Sequence, residues 1–377
     1  MRSSQEEQVP PKILYLDCAP FFGGGQRSFL ALLDSARAQG LEPFLLAPSG
    51  MLSEEARAQG IGVDSIRPGH WGKSVPGLAK WLFLRWVNGR CIQGAVSRWN
   101  PDILHANGLR AALLLPRGIE SRVPVVLHDR DVHAPVRVRR MLSRRVSKVI
   151  AVSKCVAARW EDILPPERVT VVPNGVSVRV PESAESADDC FRATLVADFV
   201  VWKRHGLFVD ALVQARREAP ELVGLVVGRV HDRAGHRLLE RLRRQACDLG
   251  LSEEVLRIVV DASDALPHIA RSSVLVSTSD QEPFGRTVVE ALALGKPVVA
   301  VRGGGPDDIL SDCDAGVLTD AGAESLAEAI LRWRTPEARA AVAPAARVRA
   351  GQFTPECMAR DVAALYDGIL ACSQGAR

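Results

Sequence analysis

Short apolar runs alternate with helical patterns along almost the whole chain, and this alternation limits the fold more than any other feature of the sequence. The runs are rich in leucine and β-branched residues, and the segments between them repeat apolar residues at the spacing of one helix face. Parallel strands need long crossover connections, which are usually helices. The sequence therefore predicts an α/β protein built from parallel sheets.

The predicted strands fall into two sets, which indicates two sheets. The first set is 13–16, 43–47, 102–104, 123–127, 148–152 and 169–172, and the second is 194–196, 222–227, 256–260, 274–276 and 297–301. Between them, Val180 to Asp189 is rich in serine, alanine and acidic residues, and is interpreted as a linker. We therefore expect an N-terminal domain over residues 12–177 and a C-terminal domain over 190–355, a sensible division of 377 residues.

Composition excludes several classes of protein. Apolar residues make up 47% and charged residues of both signs 24%, which is typical of a globular chain, and only 5% aromatic residues leave little for stacking on nucleic acid. The eight cysteines form no CxxC pair, so neither a zinc site nor a disulfide framework is expected. No signal peptide and no apolar run of spanning length is found. The sequence predicts a cytoplasmic protein.

Basic residues are concentrated in one region, where residues 110–160 hold twelve Lys or Arg against three acidic residues. Its centre is the stretch 137–148. Two interpretations stay open: a solvated helix face, or a surface for an anionic acceptor or for peripheral contact with the inner face of a membrane. The apolar run Trp81 to Leu84, interrupted by Arg85, predicts an amphipathic helix, and such helices dock more often on a core than on a lipid surface.

A glycine-rich loop follows the first predicted strand. The segment Phe21-Phe22-Gly23-Gly24-Gly25-Gln26 precedes a predicted helix from Ser28 to Arg37. Glycines let a backbone approach a ligand closely, and free N–H groups at a helix start favour anions. Because the spacing is not GxGxxG, the loop is either a contact for phosphate or acceptor or a plain tight turn.

The segment from Ser277 to Val301 is more informative. A strand ends at Ser277, a loop contains Glu282, and a helix from about Arg286 to Leu294 contains Glu290. A diphosphate suits the N–H groups of the helix start, and two carboxylates can accept hydrogen bonds from sugar and ribose hydroxyls. The segment therefore predicts a nucleotide-sugar site.

This segment resembles the E-x7-E signature of the retaining family-four glycosyltransferases, whose GT-B fold has two Rossmann-like domains facing across a cleft. The resemblance covers roughly residues 12–370, and other stretches agree with it in order: Ile150 to Ala157, Val171 to Val176, Trp202 to His205 and Val301 to Pro306. It implies a metal-independent retaining transferase, with a nucleotide-diphosphate sugar as co-substrate and no cofactor. It also implies that residues 356–377 form a helix that packs back toward the first domain.

The resemblance also assigns roles. Lys203 resembles the lysine that neutralises the diphosphate, Glu290 the glutamate on the ribose, and Glu282 the residue facing the transferred sugar. His128 matches the histidine beside the reacting sugar. The implied catalytic residues are His128, Lys203 and Glu282, and the implied donor-binding residues are Gly24, Gly25, Lys203, Arg204, Glu282, Phe284, Gly285, Arg286, Thr287 and Glu290.

One position departs from the family pattern. An arginine usually lies five residues before the lysine, whereas this chain has Asp198 there, which supplies no positive charge; Arg204 or Arg286 could substitute. The departure keeps a non-catalytic nucleotide-sugar-binding or scaffold protein as an alternative, beside a GT-B sugar-nucleotide epimerase. The triplet Asp129-Arg130-Asp131 has the form of a metal-binding DxD but is interpreted as paired with arginines. The acceptor stays open among small molecules, lipid-linked sugars and glycans.

Overall fold

The computed structural model describes residues 9–20, 22–68, 75–179, 190–262 and 264–374, and the chain divides into two compact units. The N-terminal unit comprises residues up to Gly175 together with Pro355 onward, and the C-terminal unit comprises Val176–Thr354. The interpreted linker, residues 180–189, lies outside the described residues. Each unit contains one parallel sheet, as the alternation of runs and helices predicted.

The N-terminal unit is built on a seven-stranded sheet of order β3-β2-β1-β4-β5-β6-β7. Its elements are β1 (Lys12–Leu16), α1 (Gly24–Ala36), β2 (Glu42–Ala47), α2 (Met51–Ala58), β3 (Gly62–Ser65), α3 (Val75–Trp99), β4 (Ile103–Asn107), α4 (Leu109–Leu113), β5 (Val125–Asp129), α5 (Val136–Ser143), β6 (Lys148–Ala151), α6 (Lys154–Ala157) and β7 (Val169–Val171). The sequence pattern did not predict β3, a four-residue edge strand with no fully buried side chain.

The C-terminal unit has a six-stranded sheet of order β10-β9-β8-β11-β12-β13. Its elements are β8 (Arg192–Val196), α7 (His205–Arg216), β9 (Val223–Gly228), α8 (Arg233–Asp248), β10 (Leu256–Val260), α9 (Leu266–Ala270), β11 (Val274–Ser277), α10 (Arg286–Ala293), β12 (Val298–Val301), α11 (Gly305–Leu310), β13 (Gly316–Thr319), α12 (Ala323–Leu331) and α13 (Pro336–Ala350). The last helix, α14 (Pro355–Gln374), belongs to the N-terminal unit.

Helices cover both faces of the N-terminal sheet. On one face, Leu104 and Leu127 of the sheet pack with Ile92 of α3 and Leu142 of α5. On the other face, Tyr15 and Ile103 pack with Phe29 of α1, and Val362 and Tyr366 of α14 belong to the same core. Strands buried on both faces read as continuous apolar runs, which is why they were recognisable in the sequence.

The amphipathic helix expected around Trp81 is docked only in part. Leu84 is buried and Trp81 packs against the core, but Leu82 and Phe83 each expose more than half of their side chain. Among the described residues, none of the helices is both long enough and apolar enough to cross a bilayer.

Each sheet reverses its strand order once. In the N-terminal sheet the reversal lies between β1 and β4, and in the C-terminal sheet between β8 and β11. The loops leaving these strands diverge to opposite faces, which opens a crevice at the carboxyl ends of the strands. Ligands of doubly wound proteins bind at such crevices.

Candidate functional site

In the C-terminal unit, the crevice between β8 and β11 is bridged by an ion pair. Lys203 ends a 3-10 turn (Val201–Lys203) that follows β8, and Glu282 lies in the loop that follows β11. The Lys203 ammonium donates a hydrogen bond to the Glu282 carboxylate, and the two side chains are 16% and 14% exposed. The structure thus brings together two residues that are 79 positions apart in the sequence.

The two loops that hold this pair are fastened to each other. The Thr278 hydroxyl donates to the carbonyl oxygen of Lys203 at 2.7 Å, and the Asp280 N–H donates to the carbonyl oxygen of Trp202 at 2.7 Å. The Lys203 ammonium also lies 4.1 Å from the centre of the Trp202 ring. The position of the ammonium is therefore set by backbone contacts as well as by its partner.

The loop of Glu282 rests against the start of α11. The Gly305 N–H donates to the carbonyl oxygen of Glu282 at 2.7 Å, and a methyl group on Gly305 would come within 2.4 Å of the Phe284 backbone. Phe284 is buried and meets Phe353 edge to face, with ring centres 6.0 Å apart. This close approach requires glycine at position 305.

We expect Gly305→Ala to destabilise the protein by about 1–3 kcal/mol, because the added methyl group must displace backbone and not a flexible side chain. The measurement is the urea midpoint of unfolding. Gly351→Ala is the control: its backbone is helical and nothing lies within 4 Å of the added atom, so its effect should stay within about 0.5 kcal/mol. Equal midpoints for the two variants would contradict the assignment.

Helix α10 begins at the crevice. Gly285 precedes it with φ of +102°, a left-handed conformation that favours glycine. Thr287 is half-buried in the first turn, and Glu290 is buried one turn later, where its carboxylate accepts a hydrogen bond from Arg286 at 3.3 Å. The two carboxylates predicted from the sequence thus have different cationic partners, Lys203 for Glu282 and Arg286 for Glu290.

Asp198, which stands where an arginine is usual, has its own basic partners. Arg229, just after β9, donates two hydrogen bonds of 3.1 Å to its carboxylate, and His231 lies 2.9 Å from it. Burial alone would raise the pKa of Asp198, but hydrogen bonds and charge from Arg229 and His231 outweigh burial and lower it. Sequence reasoning missed Arg229, because only strand pairing brings it beside Asp198. Arg204, the residue that precedes α7, has a left-handed backbone with φ of +50°.

In the N-terminal unit, His128 lies in β5 with no exposed surface and joins a chain of buried hydrogen bonds. Its Nδ1 is 3.2 Å from Nε2 of His105 and 3.3 Å from Nη2 of Arg130, and Nδ1 of His105 is 2.6 Å from the hydroxyl of Tyr366 in α14. Because a guanidinium only donates, Nδ1 of His128 accepts, and its proton lies on Nε2. The chain therefore fixes the tautomer of His128.

Both histidines are held neutral. Burial, with a contribution from the charge of Arg130, lowers the pKa of His105 to about 3. Burial, with contributions from Arg130 and His105, lowers the pKa of His128 well below its usual value. Nε2 of His128 is buried and has no hydrogen-bond partner within the described part of the chain. A buried N–H group without a partner is costly, so this atom is a candidate contact for a bound molecule.

A polar network connects the crevice between β1 and β4 to the glycine loop. Arg130 donates to Asn174 and, at 2.8 Å, to Asn107, and Asn107 donates to Asp17. Asp17 also accepts from Gln26 at 3.3 Å, next to Gly24 and Gly25, the first residues of α1. Asp17 follows β1, and Asn107 is the last residue of the adjacent strand β4. The sequence alone did not reveal this relation, and neither residue was predicted as a site residue. Burial raises the pKa of Asp17, although hydrogen bonds from Ala19, Asn107 and Gln26 oppose it.

Part of the basic stretch 137–148 is used inside the protein. Arg139 is buried and forms an ion pair with Asp129 at 3.1 Å. The Asp129 carboxylate also accepts a hydrogen bond from the Trp160 indole at 2.9 Å. Burial raises the pKa of Asp129 to about 6, although Arg139 and the hydrogen bonds oppose it. Arg145 and Lys148 donate to backbone carbonyl groups. The remaining arginines, at 137, 140 and 144, are exposed.

Two family models match adjacent parts of the chain. The model described as Glycosyltransferase Family 4 matches residues 22–180, and the model described as Glycosyl transferases group 1 matches residues 181–349. Together they span both crevices.

Named relatives agree with these matches. The chain is 26% identical over 323 residues to the lipopolysaccharide core biosynthesis glycosyltransferase LpsE of Rhizobium meliloti (strain 1021), covering 82% of this chain and 84% of that protein. It is 27% identical over 316 residues to the D-inositol 3-phosphate glycosyltransferase of Acidothermus cellulolyticus, covering 76% of this chain and 66% of that protein.

Solved structures show the same fold. Anabaena HepE, in complex with UDP and glucose, matches with a TM-score of 0.78 at 23% identity, over 95% of this chain and 99% of that one. WaaG, a glycosyltransferase involved in lipopolysaccharide biosynthesis, matches with a TM-score of 0.68 at 18% identity, over 95% of this chain and 100% of that one. The two parallel-sheet, Rossmann-like domains are those of the GT-B fold, which confirms the predicted fold class.

Proposed function

We propose that this chain, which belongs to the group 1 glycosyltransferases of the family-four type, transfers a sugar from a nucleotide-diphosphate donor to a hydroxyl group of an acceptor, with retention at the anomeric carbon. The observation that carries the proposal is the Lys203–Glu282 pair at the crevice between β8 and β11. A nucleotide bound there meets a lysine ammonium, two carboxylates and the start of α10.

Departure of the nucleoside diphosphate is the costly step, because negative charge grows on its oxygens as the sugar becomes oxocarbenium-like. We assign compensation of this charge to Lys203 and the first N–H groups of α10, which are already in place before reaction. These groups can act without a metal ion or cofactor. Glu282 then faces the transferred sugar, and Glu290 accepts a hydrogen bond from the ribose.

We assign to His128 a hydrogen bond donated from Nε2 to the reacting sugar. Nδ1 is occupied by Arg130 and His105, so the imidazole is a fixed donor and not a base that takes the acceptor proton. No side chain is assigned as a covalent nucleophile. The acceptor hydroxyl attacks from the face that the diphosphate leaves. Its oxygen forms the new bond to the anomeric carbon as the bond from that carbon to the diphosphate breaks, and its proton passes to the departing diphosphate oxygen.

The alternative of a non-catalytic binding protein rests on Asp198, which stands where the family pattern has an arginine. The Arg229 guanidinium pairs with the Asp198 carboxylate, so Asp198 does not leave an uncompensated negative charge beside a bound diphosphate. For the acceptor, relatives named for lipopolysaccharide core and inositol phosphate favour a hydroxyl of a glycan or of a phosphorylated polyol.

The experiment is thermal stability with a panel of nucleoside diphosphates and nucleotide sugars, beginning with UDP-glucose because HepE was solved with it. A ligand at 100 times its dissociation constant should stabilise the protein by about 2.7 kcal/mol. Glu290→Ala should lose most of this gain, whereas Glu328→Ala, an exposed glutamate on α12 of the same unit, should keep it. Absence of a shift with every donor would contradict the proposal.

A further inference from the structure

An exposed apolar face on α3 stands out on the N-terminal unit. Leu82, Phe83 and Trp86 expose 53%, 51% and 61% of their side chains, while Leu84 and Asn88 on the opposite side of the helix are buried. Positions 82, 83 and 86 lie within one quarter to one third of the helix circumference. The three large apolar side chains therefore form one continuous ridge that faces solvent, and they are not scattered over the surface.

Helix α5 presents the same chemistry. Val136 and Met141 are exposed beside Arg137, Arg140 and Arg144, and the buried residues of this helix lie on its other side. Both helices cover the same face of the sheet, since residues of each pack into one core. We call the five exposed apolar residues and these three arginines, together with Arg90 on α3, the basic-apolar face.

The charged residues within the two helices have one sign. Neither α3 nor α5 contains an acidic residue. Arg90 lies over the Trp86 ring at 5.5 Å and Arg67 over the Phe83 ring at 5.8 Å, so guanidinium groups flank the exposed aromatics. On α3 itself, burial and the neighbouring charges of Arg145 and Arg117 lower the pKa of Arg85. An anionic partner would relieve this crowding.

We propose that the basic-apolar face binds the surface of an anionic lipid bilayer, with Leu82, Phe83 and Trp86 inserted among the acyl chains and the arginines on lipid phosphates. Aromatic residues favour the interfacial region, and long basic side chains reach from it to the headgroups. Exposed aromatic side chains flanked by guanidinium groups fit an anionic bilayer better than a neutral protein partner. We add one step that rests on the proposed transferase function: the acceptor sugar is carried by a lipid.

The test is flotation of the full-length protein with vesicles of phosphatidylcholine alone or with 40% phosphatidylglycerol, at about 0.1 M salt. We expect binding to the anionic vesicles. The double variant Phe83→Ser, Trp86→Ser and the triple variant Arg137→Gln, Arg140→Gln, Arg144→Gln should each weaken binding about tenfold or more.

Two matched controls lie in the other unit. Val348→Ser removes a valine that is 73% exposed, and Arg237→Gln, Arg241→Gln, Arg244→Gln removes three exposed arginines of α8, so both should leave vesicle binding unchanged. Equal binding to neutral vesicles, or equal effects of controls and test variants, would overturn the proposal. So would a wild-type dimer that the Phe83, Trp86 variant converts to a monomer, because a second copy would then occupy the face.

The result of the vesicle experiment can be distinguished from the result of the nucleotide-binding experiment that tests the proposed function. The nucleotide-dependent thermal shift depends on residues of the C-terminal unit and should persist in both test variants. A wild-type protein that shifts with a nucleotide and ignores vesicles would refute the bilayer proposal alone. One that floats with vesicles and shifts with no nucleotide would refute the transferase proposal alone.

Discussion

We expect Lys203→Met to lower kcat by about a thousandfold in the proposed reaction, the upper range for removing one preorganised group that stabilises transition-state charge. The Lys203 ammonium is held by the loops after β8 and β11 before any donor binds, so little reorganisation is needed when charge develops. Methionine keeps the length and apolar character of the side chain but has no charge. Initial rates with the donor identified by thermal shift measure the effect.

The variant also leaves the Glu282 carboxylate without its lysine, which could lower the rate by itself. The double variant Lys203→Met, Glu282→Gln removes that unpaired charge and should remain as slow as the single variant. Lys203→Arg restores the charge and should recover part of kcat. Recovery of activity in the Lys203→Met, Glu282→Gln protein would show that Lys203 serves only to neutralise Glu282.

His128→Ala should lower kcat/KM at least about a hundredfold, because Nε2 is the candidate donor to the reacting sugar and the imidazole is held by two partners, His105 and Arg130. Steady-state rates over pH 5.5–8 are the measurement. Since burial lowers the pKa of His128, the wild-type imidazole stays neutral across this range, and kcat/KM should show no decline with a midpoint near 6.5 as pH falls.

Tyr366→Phe probes the far end of the hydrogen-bond chain. It removes the hydroxyl that contacts Nδ1 of His105, which frees His105 to carry its proton on either nitrogen. We expect about a tenfold loss of kcat with little change in KM for the donor, whose predicted site lies in the other unit. A loss of stability with unchanged kcat would assign Tyr366 to packing alone.

The sequence predicted the strands well wherever both faces of the sheet are buried. Runs such as Ile13–Leu16 and Val274–Val276 are apolar at every position, so no periodicity was needed to recognise them. The strands β3 and β13 were not predicted, because only one of their eight residues is buried and a short edge strand has little apolar pattern to detect. Strand order could not be predicted from the runs alone, because it depends on which crossovers pack on which face.

The candidate site was predictable where it follows one continuous segment. Glu282, Gly285 and Glu290 lie within nine residues, and their spacing alone places both carboxylates near a helix start. Asp17, Asn107, Arg130 and Asn174 were not predictable as a group, because strand pairing brings together residues up to 157 positions apart. Arg229 is the same case: it reaches Asp198 only through the pairing of β8 with β9.

The membership of α14 in the N-terminal unit has a consequence for synthesis on the ribosome. Residues 176–354 form a unit that is continuous in sequence, whereas the unit begun first lacks Val362 and Tyr366 until α14 has been translated. Until then the apolar surface of Phe29 and Leu32 is incompletely covered. The half of the protein that is made first is therefore the half that matures last, and a stop codon shortly after codon 354 would leave it permanently unfinished.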